Sequence, residues 1–213
     1  MNHQVGVVDY GMGNLRSVAK ALAQVCGDAD IRVSSDPAVI ENSDRVVFPG
    51  QGAMPDCMRE LKARGLDGVV RRAAAQKPFL GICIGLQMLF EHSEEGDTPG
   101  LGIMPGRVRR FPSGMGSALG GGVLKVPHMG WNQVLQLMPH PVWQDISDGA
   151  RFYFVHSYYA DSLERESQSG ETEYGLRFTC AVARDNIFAV QFHPEKSQMA
   201  GLQLLRNFVN WRP

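Results

Sequence analysis

The sequence holds little that would place it in a membrane, on nucleic acid or around a metal ion. No apolar run approaches the roughly 20 residues that a membrane-spanning helix needs. Net charge is −1, so there is no electrostatic footprint for nucleic acid or for an anionic lipid surface. Four cysteines, Cys26, Cys57, Cys83 and Cys180, are scattered with no metal-ligand spacing. That usage suits a reducing cytoplasm. The strand-like run Val5–Val8 starts so soon after Met1 that no signal peptide is expected. Gly11-Met12-Gly13 follows a strand, but Arg16 stands where a dinucleotide loop needs its third glycine, so no nucleotide cofactor is expected. His128 and His156 lack further ligands at metal-binding spacing, and no metal is expected either. Repeats and low-complexity tracts are absent. A hydrophobic share of 44% and a charged share of 20% then describe an ordinary globular protein, expected as one domain over 1–213.

Periodicity separates the chain into two halves. In the first, strands at Val5–Asp9, Ile31–Val33, Val46–Phe48 and Pro78–Ile82 alternate with helices at Asn14–Cys26, Ala53–Arg64, Leu66–Gln76 and Ile84–Phe90. This βαβα order predicts an α/β fold with a parallel sheet covered on both faces, and ligands beyond the carboxyl ends of its strands. The second half reads as strands at Gly106–Phe111, Val134–Leu137, Arg151–Val155, Tyr174–Thr179 and Ile187–Gln191. Short polar turns between several of them imply antiparallel pairing. A helix over Gln198–Trp211 closes the chain. Pro112–Gly122, rich in glycine and serine, reads as a mobile loop, and the polar segment Asp161–Glu173 as a solvated one.

Chemistry is concentrated at Gly81-Ile82-Cys83-Ile84-Gly85. Small residues two positions before and after a nucleophile let a strand turn sharply into a helix and lift the side chain above the sheet edge. The corner sets the sulfur at a helix N-terminus, where the dipole favours thiolate, the nucleophilic form. By itself the motif reads equally well as a buried cysteine in a glycine-rich turn. The balance shifts with Gln191-Phe192-His193-Pro194-Glu195. Residues two apart in extended chain face one side, so Glu195 can orient His193 while His193 exchanges a proton with Cys83. Acyl transfer also needs N–H groups aimed at the oxyanion. The amide of Ile84 is one donor, and Gln51 or Gly52 in the turn Pro49-Gly50-Gln51-Gly52 is the second. Gln87 lies one helical turn beyond Cys83 and can face the same pocket.

In this order, Pro-Gly-x-Gly, Gly-x-Cys-x-Gly-x-Gln and His-Pro-Glu-Lys-Ser resemble the triad-type, class I glutamine amidotransferases. Val8–Leu15, Lys125–Asn132 and Tyr153–Tyr158 narrow the resemblance to the glutaminase subunits of imidazole glycerol phosphate synthase. It runs from about residue 4 to the C-terminus. Gln51 stands where family members often carry an apolar residue. The resemblance implies a three-layer α/β/α, flavodoxin-like fold with a mixed central sheet and a nucleophile elbow. It makes Gln87 a binder of the substrate glutamine and matches Glu95 to the position that binds the α-amino group, although spacing alone leaves Glu91 and Glu94 open. Ser157 and Tyr158 match the segment that lies against glutamine through backbone groups. Asn14, Trp131, Asn132 and Lys196 fall in segments near the site's mouth, where a partner interface is expected.

The implied activity is hydrolysis of glutamine to glutamate and ammonia through a Cys83–His193–Glu195 triad and a thioester, with no cofactor. Ammonia would pass to a cyclase subunit with a (β/α)8 barrel in a heterodimer. There PRFAR becomes imidazole glycerol phosphate and AICAR, a step of histidine biosynthesis. The resemblance also implies low activity until the cyclase docks, with the glycines of Pro49–Gly52 permitting a peptide flip into the oxyanion hole. An amidotransferase serving pyridoxal phosphate synthesis, a cysteine peptidase and a non-catalytic protein on the same fold are the competing readings. Lys125–Asn132 argues against the first, Gln87 against the second and the intact triad residues against the third.

Overall fold

The structure is a computed structural model of the 213-residue chain and describes residues 3–27, 29–116 and 122–213. Its first half is the expected βα alternation. Strands β1 (Gln4–Val8), β2 (Asp30–Ser34), β3 (Arg45–Gly50) and β4 (Phe79–Cys83) pair in parallel in the order β2-β1-β3-β4. Helix α1 (Leu15–Val25) joins β1 to β2, and α2 (Pro37–Asn42) joins β2 to β3. Next come α3 (Met54–Ala63) and α4 (Asp67–Gln76), which the left-handed backbone of Gly65 (φ 65°) helps to separate. Travel along the sheet reverses at β2, so right-handed crossovers put α1 on one face and the following helices on the other. Every residue of β3 and β4 is buried, as a sheet covered on both faces requires.

Helix α2 was not expected from periodicity. Its signal is local: the Asp36 carboxylate accepts from the Ala38 N–H at 2.9 Å, and Pro37 occupies the first turn. The helix leaving the elbow, α5, is the reverse case. It covers only Ile84–Gln87, not Ile84–Phe90. Residues 88–90 are completely buried, and their carbonyls accept from the N–H groups of Leu101, Gly102, Ile103 and Met104. The segment 101–104 thus claims the groups that a second helical turn would have used, and β5 (Phe90–Ser93) begins at once.

The second half extends the sheet. After β6 (Thr98–Pro99) come β7 (Met104–Arg110), β8 (His128–Gln133), β9 (Leu135–Gln136), β10 (Arg151–His156), β11 (Tyr158–Ser162), β12 (Gln168–Glu173), β13 (Arg177–Arg184) and β14 (Ile187–Val190). Strand β14 returns parallel beside β4, and β13, β11 and β7 follow it antiparallel. Strands β8 and β10 form a separate antiparallel ribbon. The sheet is therefore mixed, as expected.

Several boundaries differ from the sequence reading. The strand expected at Val134–Leu137 shrinks to β9, because the longer pairing lies upstream in β8. Tyr174–Leu176 is a turn closed by the Tyr174 N–H and Leu176 carbonyl, and the strand starts at Arg177. Asp161–Glu173 is not a solvated loop. It ends β11 and contains β12, with Ser167, Ser169 and Thr172 buried. Partners for two of the hydroxyls explain why: Trp143 Nε1 donates to Ser169 Oγ at 2.9 Å, and the Ser162 and Ser167 hydroxyls lie 3.0 Å apart. Of the loop expected over Pro112–Gly122, residues 117–121 lie outside the described residues. Gly116 bridges to Val123, and the Leu124 N–H donates to Met115 O.

Helix α6 (Gln198–Asn210) packs against α1, and its first turn braces the segment after β14. Arg45 Nη1 caps its far end by donating to the carbonyls of Phe208 and Trp211, at 2.8 and 3.1 Å, where the dipole favours a cation. At the near end, a Cβ on Gly201 would lie 1.9 Å from Pro194 O, so this helix turn sits directly on the His193–Glu195 backbone. We therefore expect Gly201→Ala to lower stability by about 1–3 kcal/mol through overpacking. Urea unfolding checks it, and an unchanged midpoint would contradict the close contact.

Candidate active site

The elbow is built by close approach. A Cβ on Gly85 would fall 1.8 Å from Phe48 O, and one on Gly81 would lie 2.9 Å from the Ala189 side chain. Only glycine lets α5 lie this near β3 and the end of β4 pass this near β14. Between them Cys83 adopts φ 56° and ψ −111°, a region that L-residues rarely enter and that marks strained, functional positions. Its side chain is 4% exposed. Gly50 pairs with Cys83 across β3 and β4, and a Cβ there would meet Tyr10 Oη at 2.6 Å and Ile84 Cβ at 2.8 Å. Glycine at 50 is thus required by space, whether or not the peptide flips. Gly52, at φ 116°, needs glycine for its backbone.

The parallel register of β14 against β4 pairs Val190 with Ile82, so the chain leaving β14 runs beside the elbow. The His193 N–H donates to Tyr153 O at 2.9 Å, and Ser197 Oγ donates to His193 O at 2.6 Å. His193 Nδ1 lies 2.8 Å from Glu195 Oε1, and both side chains are almost fully buried. Burial alone pushes the imidazolium down. The Cys83 sulfur and the Glu195 carboxylate more than reverse this and hold it at about 10. Among the described residues no partner occupies His193 Nε2 or Glu195 Oε2.

A cavity of about 310 Å³ opens over the sulfur. It is lined by Cys83, Ile84, Gln87, Gln51, Gly52, Glu95, Ser157, Tyr158 and His193, with Pro127, Val155 and His156 completing the wall. Every expected substrate and oxyanion residue is therefore in one place, with Glu195 directly behind His193. The three glutamates that spacing could not separate differ in their contacts. Glu91 Oε2 accepts from Gly106 N–H and Glu94 Oε2 from Arg110 N–H, both away from the cavity. Glu95 alone of the three lines it, its Oε2 held at 2.9 Å by the Met54 N–H at the start of α3.

One neighbour of the sulfur escaped the sequence reading. Gln191 is completely buried, donates from Nε2 to Cys83 Sγ at 3.8 Å, and accepts at Oε1 from Gln87 Nε2 at 3.0 Å. Its signal was a lone amide in an apolar run, two residues before His193. His128 and His156 lie 3.0 Å apart through Nδ1 and Nε2, and His156 Nδ1 lies 2.7 Å from Tyr158 O. Burial pushes His128 down to about 4 and His156 to about 3. They are neutral struts. Among the described residues no group of three or more His, Cys, Asp or Glu side chains gathers as a metal site.

None of the four residues expected at a partner interface lines the cavity. Trp131 is 43% exposed and packs edge-on to Tyr153, whose ring also lies 6.0 Å from Lys196 Nζ. Asn132 spends its amide internally, on His128 Nε2 and Glu173 O. Asn14 precedes α1 without a side-chain cap.

Comparison with known proteins agrees with this geometry. The family described as glutamine amidotransferase class-I matches residues 6–211. The imidazole glycerol phosphate synthase subunit HisH of Aromatoleum aromaticum is 64% identical, over 98% of this chain and 99% of that protein. The subunit of the same name from Dechloromonas aromatica is 62% identical, over 98% and 97%. Among solved structures, PurLQS from Thermotoga maritima matches with a TM-score of 0.72 at 17% identity, covering 99% of both chains. A glutamine amidotransferase matches at 0.70 and 18%, covering 97% of each. At such identities the solved structures speak for the fold alone. The chain belongs to the class-I glutamine amidotransferases and, within them, to the HisH subunits of imidazole glycerol phosphate synthase.

Proposed function

We propose that Cys83, His193 and Glu195 hydrolyse glutamine in the cavity above the elbow and that the ammonia serves a partner cyclase. One observation carries the reading: a single cavity joins the strained cysteine, the glutamate-backed histidine and a helix-anchored carboxylate. Cys83 sulfur attacks the side-chain amide carbon of glutamine, and the carbonyl π pair moves onto oxygen. The amide of Ile84, with that of Gln51 or Gly52, stabilises the oxyanion. The oxyanion collapses as the carbon–nitrogen bond breaks, and the His193 imidazolium gives its proton to the departing nitrogen, which leaves as ammonia. Water then adds to the thioester, its proton passing to the neutral imidazole, and thiolate departs from glutamate.

Recognition follows from charge. Glu95 keeps one oxygen on the Met54 N–H, leaving the other for the α-ammonium of glutamine. Gln87 has a buried, unpartnered Oε1 on the cavity wall, and Ser157 and Tyr158 offer backbone groups beside it. We take the whole chain as one amidotransferase domain working in the cytoplasm, which four free cysteines suit. Its partner would be a (β/α)8-barrel cyclase that uses the ammonia to turn PRFAR into imidazole glycerol phosphate and AICAR. The exposed Met129 and Trp131 on β8 suit an interface near the cavity mouth.

Cys83→Ala should lower glutamate release by roughly a thousandfold or more. The assay is glutaminase activity of the purified chain, alone and with a barrel cyclase and its ribotide substrate. Activity retained by the variant would remove Cys83 as nucleophile. Stimulation by the cyclase that disappears in the variant is the result expected.

Glu95→Gln should raise the KM for glutamine about ten- to a hundredfold while kcat changes less, the loss of one charged hydrogen bond. An unchanged KM would show that the α-ammonium binds elsewhere.

The raised His193 value has a sign for stability. An imidazolium favoured in the fold adds stability that is complete below the unfolded value of about 6.5. That contribution fades as pH rises through about 10. In Glu195→Gln the decline from neutral pH to about 10 should be shallower, because one of its causes is gone. Urea denaturation across this range measures it, and equal slopes would argue that Glu195 does not hold the charge.

A further inference from the structure

We propose that Gln191 is a positioning residue for the nucleophile, presenting a hydrogen-bond donor that holds the Cys83 sulfur. It has this role only if Cys83 is the attacking group, as proposed above.

The direction of the amide chain is forced from one end. Tyr158 O is a backbone carbonyl and can only accept. It receives Gln87 Nε2 at 3.0 Å, and His156 Nδ1 at 2.7 Å completes its two lone-pair sites. That fixes which way the Gln87 amide points. Gln87 Nε2 also lies 3.0 Å from the Gln191 side chain, which must answer with its oxygen. The only group left to face the sulfur is then Gln191 Nε2, an N–H donor at 3.8 Å. A reversed Gln191 would set two N–H donors, its own and that of Gln87, against each other.

The backbone holds Gln191 equally firmly. Its N–H donates to Cys180 O at 2.8 Å, and the side chain is completely buried between β14 and the elbow. A donor to sulfur interacts more strongly with thiolate than with thiol. It also restrains the sulfur while substrate approaches from the cavity side. The chain further fixes the orientation of Gln87, a residue of the cavity wall.

The other titratable groups around the sulfur are His193 backed by Glu195, Tyr10, Cys57, and Glu95 and His156 on the cavity wall. Substituting Gln191 leaves all of them in place.

The test uses the full chain carrying Gln191→Met or Gln191→Glu, with Cys83→Ala as control. Alkylation by iodoacetamide is followed at Cys83 by peptide mass spectrometry from about pH 5 to about pH 10, a range spanning ordinary thiol titration. Glutamine hydrolysis and thermal melting are measured on the same preparations. In Gln191→Met the midpoint for Cys83 alkylation should rise by about one unit, a tenfold loss of thiolate below it. In Gln191→Glu it should rise further, because a carboxylate oxygen then faces the sulfur while the bond from Gln87 is kept. For both, kcat should fall in the same order, with a smaller change in KM. Midpoints equal to wild type in both variants, with only the melting temperature lowered, would overturn the proposal and leave Gln191 as packing. If Cys83→Ala still hydrolyses glutamine, the nucleophile assignment fails and the catalytic role of Gln191 fails with it. The alkylation midpoints would still report whether Gln191 donates to the sulfur.

Discussion

Everything at this site depends on how closely the backbone after Cys83 approaches the strand beside it. Gly85 has no room for a single carbon against Phe48 O, and Gly50 has almost none against Tyr10 and Ile84. With those gaps closed, the chain between β4 and α5 cannot relax, and Cys83 is held at φ 56°. Such strain persists only where the surroundings over-determine it. Here they do, because β3, β4 and β14 are buried along their whole lengths and locked in parallel register. The same register delivers Gln191 and His193 to the sulfur, so one packing constraint sets both the strained residue and its neighbours.

Electrostatics divides the buried histidines into two roles. His193 is held charged by the groups it faces, while His128 and His156 are pushed towards neutrality by burial alone or nearly so. The division makes physical sense. A proton-transfer group needs a carboxylate behind it and the nucleophile sharing its cavity. A strut needs a fixed tautomer, and the chain Asn132–His128–His156–Tyr158 O supplies one. Its last acceptor is the carbonyl that orients Gln87, so neutral rings at the ribbon β8–β10 help to set an amide at the cavity wall.

The ribbon also explains why the family-like segments of the sequence are far apart. His128 pairs with His156 and Trp131 with Tyr153 across its register. The segments Lys125–Asn132 and Tyr153–Tyr158 thus meet in one small element over His128–Asn132 and Tyr153–His156. Its end at Val155 and His156 reaches the cavity, while Met129 and Trp131 are exposed.

Much of this was legible in the sequence because it is local. A nucleophile elbow, a histidine with a glutamate two residues on, and a glutamine one helical turn from the cysteine are patterns within a few residues. They identified Cys83, His193, Glu195 and Gln87 as candidates, and the βα alternation of the first half gave the parallel sheet. What tertiary structure alone decided depends on partners distant in the chain. Glu95 was separated from Glu91 and Glu94 by the start of α3. The helix after the elbow was cut to one turn because residues 101–104 took its carbonyls. A polar segment became strand β12 because Trp143 and neighbouring serines satisfied its buried serine hydroxyls. Gln191 acquired its donor direction from a carbonyl more than thirty residues away in sequence, at Tyr158. Periodicity and motifs report what a segment can do. Which buried hydrogen bonds it must satisfy is fixed only when the rest of the chain surrounds it.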